Sequence, residues 1–215
     1  MQFGQLAGND YINARIYELL DVLHPSDVSG FVRKFRIDSD EQCFHTYREL
    51  ILGAHLRSRG WDVRYEQRVA SKTPDWVALD RDAHVAEIVD VVTLHQRRAT
   101  DIDIGRQLAT RGMWTGWVST PPNRLFSKIQ EKANAYAKLI EQVRLPYVVA
   151  LFGEFTAPIE PQEVHKVVYE LHGGLFAEVP ALAGVIFFRE RGGQYEYSYF
   201  PNLGATHASG ILQQA

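Results

Sequence analysis

Residues 73–91 constrain the fold of this chain more than any other stretch. Two short apolar runs, 73–79 and 85–91, flank a polar turn over 80–84, a spacing that predicts an antiparallel hairpin. Side chains of a strand alternate between faces, so Val85, Glu87, Val89 and Val91 share one face. Glu87 then stands in an apolar row, where a carboxylate is costly unless paired or bound to metal. The first run brings Asp75, and neighbouring carboxylates repel each other unless a divalent cation joins them. Taken alone, the pair also fits an ordinary hairpin with an acid at a strand start and another at a sheet edge.

The 215 residues, 46% of them hydrophobic, are enough for one substantial core with an appendage. Net charge is −3, so any grip on a polyanion has to come from a local basic patch. The single cysteine, Cys43, excludes an internal disulfide and a zinc ribbon. The N-terminus lacks the form of a secretion signal, and the longest apolar run is too short to span a bilayer. A cytoplasmic protein without membrane contact is expected.

Apolar spacing predicts helices over 10–23 and about 27–36, which read as an N-terminal arm (1–38) that packs on the body or on a second copy. These helices offer a surface for a homodimer. Ser39 opens a helix running to Ser58, with Glu49 on its smaller apolar side. Strands are expected over 61–69 and in the two runs of the hairpin, making a three-stranded meander. A clear amphipathic helix follows over 124–143, with Lys132 at the margin of its apolar face and Lys128 further round. Residues 147–155 read as a buried central strand, so helix and strand together predict a crossover into parallel pairing. A further helix over 161–171 and a hairpin over 184–200 complete a domain spanning 39–200, and 201–215 reads as a tail.

From Gln96 to Lys138 the chain carries eight Lys and Arg against three acids. Arg97, Arg98, Arg106, Arg111 and Arg124 stand there with Trp114 and Trp117, a composition that suits a nucleic-acid backbone and its bases or, as well, a packed loop with a basic surface. His45, one turn before Glu49, and His95, after the third strand, invite a metal-histidine reading in an α/β protein whose acids are incidental, and both read as surface or core residues.

A helix with Glu49, a strand, a strand with Pro74-Asp75, a strand with Glu87, then a helix with Lys128 and Lys132 and a strand: this order over residues 39–155 resembles the PD-(D/E)XK nuclease superfamily. The twelve-residue separation of Asp75 and Glu87 fits the family's hairpin. The resemblance implies an α/β fold with a three-layer α/β/α restriction-endonuclease-like core and a mixed sheet. It implies Mg²⁺, with Mn²⁺ able to substitute, held by Asp75, Glu87, the carbonyl of Ile88 and Glu49. It further implies a DNA endonuclease, DNA being expected ahead of RNA. One departure stands out. The pattern asks for lysine two residues after Glu87, and this chain has Val89. Some members carry that lysine on the following helix, which makes Lys128 and Lys132 candidates, Lys128 first, with Lys72 a third. The alternative is a nuclease fold without catalysis, serving as a nucleic-acid-binding or assembly module.

Overall fold

A computed structural model describes residues 10–37, 40–94, 110, 121–153, 159–191 and 193–213. Helices α1 (Asp10–Val22), α2 (Pro25–Phe35) and α3 (Asp40–Ser58) come first, then strands β1 (Asp62–Tyr65), β2 (Trp76–Leu79) and β3 (Val85–Thr93). Helix α4 (Pro122–Val143) leads to β4 (Tyr147–Gly153), followed by α5 (Pro161–Tyr169), a 3₁₀ turn and the short α6 (Leu175–Glu178). Strands β5 (Leu182–Arg191) and β6 (Gln194–Pro201) and the single turn α7 (Gly210–Gln213) complete the chain.

The protein is mixed α/β, built on one open six-stranded sheet in the order β1-β2-β3-β4-β5-β6. The first three strands form an antiparallel meander. Strands β3, β4 and β5 run parallel, as crossover helices require, and β6 returns antiparallel. The first strand ends earlier than its alternation suggests. Glu66 takes a left-handed backbone (φ 48°), and beyond it only Val69 and Lys72 bridge.

Alternation sorts the central strands onto two cores. Val77, Ile88, Val92 and Val149 face α4, α5 and α6; Ala78, Val89, Val91 and Val148 face α1, α2, α3 and α7. Helix α4 buries Leu125, Ile129, Ala133, Tyr136 and Ile140, its predicted apolar face, and ends at Arg144 in the left-handed region (φ 57°). Helix α3 lies hard against β2. A Cβ at Gly53 would come within 1.9 Å of the Trp76 ring, so only glycine fits that approach. The Trp76 indole N–H in turn donates to the Glu49 carbonyl oxygen at 2.9 Å.

The N-terminal helices and the segment after β6 are both built into this body. Phe31 of α2 is fully buried, stacked on Tyr65 with ring centroids 3.9 Å apart. The stretch after β6, expected as a tail, instead buries Ile211 and Leu212 against the α3 side of the sheet. Among the described residues, no helix is long and apolar enough to cross a membrane.

Candidate metal centre

At the start of β2 the sheet ends, and side chains from both helix layers meet around Asp75. His45 and Glu49 stand one turn apart on α3, hence on one side of it. Glu49 is 1% exposed. Its Oε1 lies 3.1 Å from His45 Nε2, and its Oε2 lies 3.3 Å from Lys34 Nζ and accepts the Tyr65 hydroxyl. Asp75 faces Asp90 of β3. The Asp75 N–H donates to Asp90 Oδ1 (3.1 Å), and the Val91 N–H donates to Asp75 Oδ2 (2.7 Å). From α4, Lys132 Nζ comes within 3.3 Å of Asp90 Oδ1 and 3.9 Å of Asp75 Oδ2. One turn on, the Tyr136 hydroxyl donates to Asp90 Oδ1 (3.4 Å).

The electrostatics are those of crowded acids in a dry place. Burial pushes the Asp75 carboxyl well up, Asp90 and Glu49 add to this, and Lys132 opposes it. Burial pulls the His45 imidazole down against the raising effect of Glu49, which favours the neutral ring that binds metal. Burial and nearby carboxylate charge push the Tyr65 and Tyr136 hydroxyls up, so both stay protonated donors. For Lys34, burial alone would lower the ammonium; Glu49 and Glu66 outweigh it and the net shift is upward.

Three features suit a cation. His45, Glu49 and Asp75 each offer a ligand atom, all within 4.8 Å of one another. Asp90 Oδ2 is buried and makes no well-formed hydrogen bond among the described residues, although the buried Tyr147 hydroxyl interacts with this carboxylate. The cluster also sets four carboxylates (Glu49, Glu66, Asp75, Asp90) against two lysines (Lys34, Lys132), an excess of two negative charges when all are ionised. Imidazole nitrogen with carboxylate oxygens is a donor set that divalent metals accept.

Several sequence expectations are redrawn by this geometry. Glu87 is not beside Asp75. The hairpin register pairs Ala78 with Glu87 and Trp76 with Val89, which carries Asp75 on to Asp90. The turn of 80–84 and the irregularity at Ala78/Leu79 set that register, and a twelve-residue separation does not reveal it. Glu87 projects to the opposite face, where it accepts the Ser209 hydroxyl and the N–H groups of Gly210 (3.1 Å) and Ile211 (3.2 Å). Its neighbour Ile88 is fully buried, so the proposed use of its carbonyl goes with Glu87. Lys128 pairs with Glu131 at 2.7 Å on the exposed side of α4, and Lys132 takes the position expected first for Lys128. Lys72 lies over the Tyr136 ring, 5.6 Å from its centroid. Arg124 is half-buried at the start of α4; Arg97, Arg98, Arg106 and Arg111 lie outside the described residues.

Sequence reasoning missed Asp90, Lys34, Tyr65 and Tyr136, and set His45 aside. For Asp90 a signal existed, since it is an acid in the middle of the Val89–Val92 run. For His45 the signal was its one-turn spacing from Glu49. Comparison of the chain with protein-family models, with curated proteins and with solved structures found no match.

Proposed function

We propose that this protein is a divalent-cation-dependent phosphodiesterase that cuts nucleic acid, DNA ahead of RNA, on a three-layer restriction-endonuclease-like core. The observation that carries the reading is the meeting of Asp75 and Asp90 with Glu49 from one helix layer and Lys132 from the other. The lysine absent after β3 acid positions has a counterpart there in Lys132, one helix later in the chain. His45, Glu49 and Asp75 would hold the ion, with Asp90 at its side. A divalent ion bound there polarises a phosphodiester and lowers the pKa of a bound water.

The chain's own residues do the rest. Lys132 places its Nζ within reach of both aspartates, where it offsets negative charge building on a phosphate and orients an attacking water. Tyr136 and the N–H groups of Asp75 and Val91 hold the two aspartates in register, so that little reorganisation is needed when substrate arrives. Exposed Lys72, over the Tyr136 ring, offers a charge to a phosphate backbone at the rim. The imidazole of His45 favours Mn²⁺ over Mg²⁺, which prefers oxygen ligands.

Cleavage of plasmid and single-stranded DNA with Mn²⁺ or Mg²⁺ tests the reading. The wild-type chain is expected to cut, and Asp75→Asn and Asp90→Asn to cut about a thousandfold more slowly. Binding of DNA without metal-dependent cleavage by the wild type would replace the enzyme with a binding module.

A further inference from the structure

Lys34 belongs to the N-terminal helices, yet its ammonium sits among the acids of the metal centre. Phe31 brings it there. The Phe31 ring is buried against Tyr65 and Trp76, which fixes the end of α2 beside the end of β1. One turn later, Lys34 Nζ meets three oxygens: Tyr65 OH at 2.6 Å, Glu66 Oε1 at 2.8 Å and Glu49 Oε2 at 3.3 Å. An ammonium has three N–H donors, so this set uses all of them. Glu66 reaches its place through a left-handed backbone, a conformation that survives only where its surroundings fix it. The Glu66 N–H also donates to the Asp75 carbonyl oxygen (3.0 Å), tying that turn to the other acid. Glu49 is thereby divided. Its Oε2 is taken by Lys34 and Tyr65, and only Oε1 faces His45.

We propose that Lys34 fills the place of a second cation beside Glu49, so that the site takes one divalent ion per chain. This rests on the metal-site reading above and deepens it: α2 completes the site, and Lys34 is a positioning residue acting through Glu49 and Glu66. With the ammonium gone, Glu49 Oε2 and Glu66 Oε1 are left as two neighbouring, negatively charged oxygens open to a second ion.

Calorimetric titration of the metal-free 215-residue chain with Mn²⁺ reads this out without any substrate. The wild type and Lys34→Arg are expected to bind one ion and Lys34→Met two, each counted with Asp80→Asn in place so that the exposed Asp80, Asp82 and His84 group takes no ion, with circular dichroism verifying that each variant is folded. Lys34→Gln replaces Lys34→Met if the latter does not fold. Two ions on the wild type, or a single ion on the folded Met or Gln variant, would overturn the role of Lys34 and leave the metal site standing. A wild-type chain that binds no ion would overturn the metal site itself.

Discussion

Glu87 and Asp90 lie on the same strand, three residues apart, and both are almost wholly buried (2% and 1% exposed). Yet they belong to different parts of the molecule. An odd spacing on a strand puts them on opposite faces. Glu87 faces the α3 side, where a hydroxyl and two N–H groups from the C-terminal segment satisfy it. Asp90 faces the α4 side, where one oxygen accepts the Asp75 N–H and the Tyr136 hydroxyl, and the other makes no well-formed hydrogen bond, the buried Tyr147 hydroxyl interacting with the same carboxylate. A buried acid with a full set of donors anchors structure. A buried acid with an incompletely bonded acceptor, next to a second acid and a lysine, is available for chemistry.

The strongest way to break this comparison is to neutralise each acid in turn. Asp90→Asn and Asp75→Asn should each lower metal-dependent cleavage about a thousandfold, roughly 4 kcal/mol of transition-state stabilisation. Glu87→Gln should stay within about threefold of wild type. Single-turnover cleavage of a labelled DNA measures all three, and the opposite ranking would return the site to Glu87. Next in size is the lysine. Lys132→Met should cost about a hundredfold in kcat, the usual loss when one preorganised charge donor is removed. Lys128→Met should cost nothing, because Lys128 is spent on Glu131 at the surface.

Stability gives the converse test. Glu87→Ala strands the Gly210 and Ile211 N–H groups and empties buried volume, so it should cost about 3 kcal/mol. That corresponds to a fall of about 6–12 °C in Tm for a chain of this size. Asp90→Asn removes a charge that repels Asp75 and also one that pairs with Lys132, so its Tm should change less than that of Glu87→Ala.

The smallest effect is a pH dependence. Burial pushes the Glu87 carboxyl above its ordinary value of 4.5, against the lowering effect of the Ser209, Ile211 and Gly210 donors. A raised folded-state pKa means that the native chain holds its proton longer than the unfolded chain. The stabilisation from this group is therefore complete below about pH 4.5 and is lost as pH rises through the folded value. Glutamine does not titrate. The Tm of Glu87→Gln relative to wild type should thus climb as pH rises from about 4 to 7. A flat or falling difference would mean that the donors outweigh burial.

Much of this was legible before the structure. The apolar runs over 61–69, 73–79 and 85–91 marked the meander, though the first two strands are shorter, and the helical stripe of Leu125, Ile129, Ala133, Tyr136 and Ile140 marked the crossover. Asp75 and Glu49 were named from the sequence, and Lys132 was named behind Lys128, because it stands at the margin of the apolar face of α4 and not beyond it. Register was not legible. A hairpin's pairing depends on its turn and bulge, and a three-residue difference in partner exchanged Asp90 for Glu87. The roles of Lys34 and His45 depend on how α2 and α3 pack around Tyr65 and Trp76, a long-range arrangement that periodicity does not encode. The same holds for the C-terminal residues, whose Ser209 and Ile211 look like a tail until Glu87 is found waiting for them.

The central claim is that one cation site is built from His45, Glu49 and Asp75, with Asp90 beside them. A crystal structure of the wild-type protein soaked in Mn²⁺, read by anomalous scattering at the manganese edge, tests it most directly. The account predicts a single peak among those side chains and none near Glu87. A peak at Glu87, or an empty cluster at saturating Mn²⁺, would contradict it.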